Sequence, residues 1–197
     1  MSRSGPWRVD RAVTAGSDAD LLGRLRAADP AAFDAVYARY RAPLHSFLLR
    51  LTGRRWLAED LLQETWLRFA RHAVDLPADT PLRPWLFTVA RNAFVSHRRW
   101  ALLDADRLRE VGLLPGRRTE TPFELAAASQ TERALEAGLA ALPVAQREVL
   151  LLCAVERMEP SEAAQVLGLR PEAVRQRLSR ARSMLAEHLG RSERPRP

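Results

Sequence analysis

Apolar residues recur along this chain at steps of three and four, the period of a helix, and not at steps of two. Leu21, Leu22 and Leu25 share one side of a short helix that Ser17 or Asp18 would cap. Asp29-Pro30 reads as a fresh start, a capping carboxylate followed by proline at the first helical position. From there Phe33, Val36, Tyr37, Tyr40, Leu44, Phe47, Leu48 and Leu51 form one stripe, which Pro43 should bend and Gly53 should end. A third helix over 56–71 turns Leu61, Leu62, Thr65, Trp66 and Phe69 inward, and Asp60, Gln63, Glu64, Leu67 and Arg71 outward. Beyond the turn-rich stretch 75–84, a fourth helix turns Trp85, Leu86, Val89, Ala90 and Ala93 inward. Arg91, Asn92, His97, Arg98 and Arg99 crowd its other side and its end.

The rhythm then breaks. Gly112, Pro115, Gly116 and Pro122 interrupt any long helix, so 101–128 is expected to be a flexible linker between two helical domains, 18–100 and 129–190. The stretches 1–17, expected to be disordered, and 191–197 are tails in this scheme. Ser129-Gln130-Thr131-Glu132 offers a capping box to a helix striped by Leu135, Leu139 and Leu142. Pro143 starts the next helix through the apolar run Val149 to Val155. A short helix from Ser161 then ends at Gly168, suited to a left-handed cap, and Pro171 opens a longer helix to about Leu189. Short helix, glycine turn, longer helix is helix-turn-helix spacing. The fold class expected is all-α: two small helical domains, the second a helix-turn-helix.

Composition narrows the chemistry. Apolar residues make up 47% and charged residues 28%, the balance of a folded domain rather than a disordered chain. The net charge is +7, and every one of the 31 basic residues is arginine, whose planar guanidinium suits phosphate. A GC-rich genome accounts for most of the lysine deficit, so the charge favours nucleic acid only through its location. Cys153, the only cysteine, excludes an internal disulfide and sits in an apolar run where a buried thiol is ordinary. No stretch approaches ~20 consecutive apolar residues, and the first residues lack an apolar signal core, so a cytoplasmic protein is expected. His45, His72, His97 and His188 share no spacing that would build a metal site, and no glycine-rich phosphate loop occurs. Neither catalysis nor a cofactor is expected.

The location is informative in the last helix. At ~100° per residue, Val174, Leu178, Ala181 and Leu185 fall in one apolar sector. Glu172, Arg175, Gln176, Ser179, Arg180 and Ser183 fall on nearly the opposite sector, while Arg177 and Arg182 flank it and suit phosphates. One face clamped to the domain and one offered to the major groove is what a recognition helix needs. Arginine takes guanine edges and glutamine takes adenine.

The run Ala58-Glu59-Asp60-Leu61-Leu62-Gln63-Glu64-Thr65-Trp66-Leu67 resembles the core-polymerase-binding segment of extracytoplasmic-function sigma factors. Asp29-Pro30-Ala31-Ala32-Phe33 with Tyr37 and Tyr40 is similar to that family's opening helix, and Trp85-Leu86 with Ala90-Arg91-Asn92 to its promoter-melting helix. Leu142-Pro143, Gln146-Arg147-Glu148 and Val174 to Arg182 are similar to its fourth conserved region. The resemblance implies a sigma factor that binds core RNA polymerase, at the clamp of its largest subunit and the flap of its second-largest, and directs promoter recognition and melting. It implies that Asp60, Leu61, Gln63 and Glu64 face the clamp. Asn92 would contact an unstacked minus-ten base, with Arg91, Arg98 and Arg99 on the backbone. Arg175, Gln176, Ser179 and Arg180 would read the minus-thirty-five element, and an anti-sigma factor is a further partner many relatives have. The resemblance would make Trp85 part of a melting surface, but its helical position favours the core.

There are departures. Ser96 stands where the family often has Asp, Arg170 replaces a small capping residue, and Glu172-Ala173 replaces a common Gly-Thr pair. Promoter sequence therefore does not transfer from relatives. The rival reading, a stand-alone helix-turn-helix regulator, explains the second domain and leaves Asp60 to Trp66 and Trp85 to Arg99 without a task.

Overall fold

The computed structural model describes residues 16–110 and 130–192. The expected tails at 1–15 and 193–197, and Ser129 of the expected capping box, lie outside the described residues. Among the described residues every regular element is helical.

Local chemistry sets the helix starts. Helix α1 (Asp18–Arg26) is capped by Ser17, whose hydroxyl accepts from the Asp20 N–H at 3.1 Å while the Asp20 carboxylate accepts from the Ser17 N–H at 2.9 Å. Helix α2 (Pro30–Thr52) is capped by Asp29, which accepts from the Ala31 N–H at 2.9 Å and from Arg24 at 2.8 Å. It stays helical through Pro43 and stops at Gly53, whose φ of 65° is the left-handed region glycine enters without strain. The Tyr40 hydroxyl and the Arg39 guanidinium donate to Asp18 at 2.5 and 2.7 Å and pin α1 onto α2. Burial, together with the Asp18 carboxylate, pushes the Tyr40 hydroxyl above its usual pKa, so it serves here as a donor.

Helix α3 (Arg55–His72) and helix α4 (Leu82–Glu110) complete the first module. Phe47 meets Phe87 edge-on at 5.2 Å, and Phe69 lies within 6 Å of Phe33, Trp66 and Trp85. Such rings exclude water over a large area and dominate a core of this size. Trp85 is half-buried in that cluster, the packing role its spacing predicts. The Thr65 hydroxyl, fully buried, donates to the Leu61 carbonyl at 2.7 Å and so leaves no unmet donor. One boundary differs from expectation: α4 continues as helix for ten residues past position 100, into the expected linker. Residues 101–110 contain no glycine or proline, and the first breaker is Gly112.

The second module comprises α5 (Gln130–Ala141), α6 (Val144–Leu150), a π-helical turn (Leu151–Val155), α7 (Pro160–Leu167) and α8 (Pro171–Ser192). The π turn widens the end of the apolar run: the Glu156 N–H reaches the Leu151 carbonyl, five residues back, at 2.9 Å. Of the stripe expected on α5, Leu139 and Leu142 are buried while Leu135 is exposed, because α5 meets α8 through its second half around Gly138. Gly168 takes a φ of 64° between α7 and α8, and the Leu169 N–H returns to the Ala164 carbonyl at 3.0 Å, closing the helix-turn-helix corner.

The two modules are in contact. Helices α2 and α4 of the first pack on α5, α6 and α7 of the second, and the buried apolar residues of both join one cluster.

Candidate polymerase-docking and nucleic-acid surfaces

On α3, burial separates the proposed docking residues. Asp60 and Gln63 are exposed and Glu64 is half-exposed, but Leu61 is 1% exposed. The expectation that Leu61 faces a partner is therefore corrected: its side chain belongs to the core between α2 and α4, as its helical spacing had placed it. Two residues left out of the expected docking set stand on the same face, Leu67 already turned outward by its spacing. Trp56 and Leu67 are 50% and 51% exposed and lie in line with Asp60 and Gln63 at helical steps of four, three and four. A large apolar side chain held in water on a charged face is the feature that would have flagged them. The face is not simply acidic, since Arg55 pairs with Glu59 at 2.9 Å and Arg68 pairs with Glu64.

On α4, Asn92, Arg98 and Arg99 are exposed. The Arg98 guanidinium lies 5.7 Å from the Phe94 ring, a cation–π contact, and Arg98 and Arg99 flank a shallow apolar depression with Val95, Leu102 and Leu103. Trp100, 62% exposed, adds a further aromatic surface at this end. Arg91 departs from the group. Its guanidinium is turned into the contact between modules, where Nε and Nη2 meet the Glu148 carboxylate at 3.0 and 3.4 Å.

On α8 the division of faces is as the spacing predicts. Val174 and Ala181 are fully buried, and Leu178 and Leu185 are packed against the core. Arg175, Gln176, Ser179, Arg180 and Arg182 are exposed, and Arg177 is half-exposed at the edge. Arg175 also meets Glu172 at 3.3 Å, so the acid at the start of this helix orients one guanidinium of the exposed row. Such a surface presents amide, hydroxyl and guanidinium donors from a rigid element, which suits base edges and phosphates.

Sequence reasoning missed the ion pairs between modules. Arg50 meets Glu136 at 2.9 Å, Arg91 meets Glu148, and the Arg83 guanidinium donates to the Glu156 carbonyl with the Glu156 carboxylate 3.7 Å away. Burial raises the pKa of the Glu156 carboxyl against the opposing pull of Arg83 and Arg50. In the other direction Arg147 donates to the Arg50 and Leu51 carbonyls at the end of α2 and to Ala140 and Leu142 at the end of α5. The available signal was Arg147-Glu148, a charged pair set inside an otherwise apolar stretch.

Two helical modules, one ending in a helix-turn-helix with an exposed polar reading face, define a DNA-binding protein. Comparison with known proteins specifies it. Residues 36–101 match Sigma-70 region 2 and residues 132–185 match Sigma-70, region 4. The ECF RNA polymerase sigma factor SigM of Mycobacterium tuberculosis is 33% identical over 178 residues, covering 88% of this chain and 85% of that protein. SigM of Bacillus subtilis is 31% identical over 77% of this chain and 91% of its own length. Among solved structures, CnrH in complex with the cytosolic domain of CnrY matches with a TM-score of 0.65 at 26% identity, over 88% of this chain and 97% of that one. The sigma factor RpoE, in complex with the anti-sigma factor NepR from Bartonella quintana, matches with a TM-score of 0.65 at 27% identity, over 82% and 98%.

The chain belongs to the ECF family of RNA polymerase sigma factors. It binds core RNA polymerase and promoter DNA and directs promoter recognition and transcription initiation. The match over 36–101 removes the reading as a stand-alone regulator, which needs only the second module. Among the described residues no helix is long and apolar enough to cross a membrane.

Proposed function

We propose that the two modules divide this work by surface. The α3 face of Asp60, Gln63 and Glu64, with Trp56 and Leu67 as apolar anchors, docks on the polymerase clamp. Acidic and amide groups suit a basic partner helix and would repel DNA, while an exposed tryptophan supplies the desolvated contact that holds an interface. Asn92 reads an unstacked minus-ten base, with Arg98 and Arg99 on the strand and Arg91 joining them when it leaves Glu148. Arg175, Gln176, Ser179 and Arg180 read the minus-thirty-five element in the major groove, with Arg177 and Arg182 on phosphates.

The observation that carries this reading is the opposition on α8: Val174 and Ala181 fully buried beneath an exposed row of Arg175, Gln176, Ser179 and Arg180. The chain acts without catalysis of its own, and works in the cytoplasm, where the chromosome is. An anti-sigma protein covering the α3 and α4 surfaces belongs to the same reading, supported by a related solved sigma factor bound to one.

Transcription in vitro tests it. The purified chain, added to core polymerase lacking sigma, should initiate at a discrete set of genomic start sites that share two upstream elements. Failure to associate with core would overturn the docking assignment.

A further inference from the structure

Glu172 heads the exposed row of α8. At ~100° per residue it shares one sector with Arg175, Gln176, Ser179 and Ser183, opposite the buried Val174 and Ala181. It is the only acid between Pro171 and Ala186, a stretch that carries Arg175, Arg177, Arg180 and Arg182. Its side chain is 69% exposed, and its Oε1 accepts from Nη1 of Arg175, one turn further on, at 3.3 Å. An exposed pair of this kind contributes little to stability, so the fold itself does not require the acid.

On a face offered to the major groove, a carboxylate carries a specific cost. Phosphates wall the groove, and guanine N7 and O6, thymine O4 and adenine N7 all present lone pairs that repel it. Cytosine differs, because its N4 amino group is a donor with no acceptor of the same base beside it. Arg175 offsets the charge of Glu172 and still keeps donors for the O6 and N7 of a guanine. The two residues are separated by an axial rise of ~4.5 Å, close to the ~3.4 Å between successive base pairs. Neighbouring base pairs are therefore within their joint reach.

We propose that Glu172 is a specificity-determining residue of α8: its carboxylate accepts from the N4 amino group of one cytosine in the upstream element, while Arg175, held beside it, takes guanine in the neighbouring pair. The inference rests on the assignment of α8 to the minus-thirty-five element. The same carboxylate turns away guanine and thymine at its position, so it selects by repulsion as well as by attraction.

The test uses core polymerase reconstituted with the full chain, on promoter fragments from a mapped start site whose upstream element is randomised. Sequencing the transcribed templates should show cytosine at one position, beside a guanine, favoured roughly tenfold over guanine or thymine. Glu172→Ala should lose that cytosine preference and keep the neighbouring guanine. Glu172→Gln should move the preference towards adenine, whose N6 and N7 an amide pairs with. A template with N4-methylcytosine at this position places a methyl group where the groove-facing hydrogen stood. The parent should transcribe it about tenfold less than the unmodified template, and Glu172→Ala should transcribe both alike. Identical base preferences in all three proteins overturn the inference, as does loss of the guanine alone, which would leave Glu172 only orienting Arg175. A parent library without any upstream preference overturns the assignment of α8 itself, and this inference with it.

Discussion

Gly138 of α5 lies directly beneath Leu185 of α8: a Cβ at this glycine would come within 2.7 Å of the leucine Cδ1 and 3.3 Å of the His188 ring. The absence of a side chain is what lets the two helices approach. Gly138→Ala gains about 1 kcal/mol of helix propensity, and the atom it meets is the end of a flexible, half-buried side chain that can turn aside. Its melting free energy should therefore stay within about 1 kcal/mol of the parent. Gly138→Val adds two further methyl groups to the same gap and should destabilise by about 1–3 kcal/mol in denaturant titration. Equal stability of both variants would contradict the close approach.

On α3, docking and packing separate by mutation. Asp60→Arg with Glu64→Arg should weaken core-polymerase binding by about 100-fold or more in a pull-down or polarisation assay, since like charge now meets a basic partner. Arg180→Ala should leave core affinity unchanged and lower transcription from cognate promoters about tenfold, the loss of one base contact. Leu61→Ala should cost about 2–5 kcal/mol of stability, while the folded fraction still binds core. Unchanged core affinity in the charge-reversed protein would remove the assignment of this face.

The start of α2 should respond to acid. The hydrogen bond from Arg24, then that from the Ala31 N–H, holds the Asp29 carboxyl below its ordinary value. A depressed acid contributes stability that is present above its unfolded pKa, about 3.9, and is lost as pH falls through the lower folded value. Amide protection factors at Ala31 and Ala32 should be level down to about pH 5 and drop below about pH 4. Asp29→Asn should remove that drop while keeping part of the cap.

Elements whose cause is local were legible in the sequence. Asp29, Gly53 and Gly168 stop or start helices through their own side chain or backbone freedom, and the structure has them in those roles. The sector Val174, Leu178, Ala181 and Leu185 followed from rotation alone. Leu61 shows how two lines of sequence reasoning can conflict. Its spacing placed it inside and family likeness placed it outside; burial at 1% exposure sides with the spacing. The extra ten residues of α4 were missed because a break in apolar rhythm was read as a break in helix, though no helix breaker is present before Gly112. The pairing of Arg91 with Glu148 was not legible, since no periodicity relates residues 57 positions apart on different modules.

The placement of Arg147 has a consequence for how damage spreads. Its one planar head supplies the missing donors at the ends of two helices from different halves of the molecule, α2 and α5. Loosening at either terminus is therefore felt at the other, and a neutral side chain at this position would fray both halves together where most surface changes would trouble one.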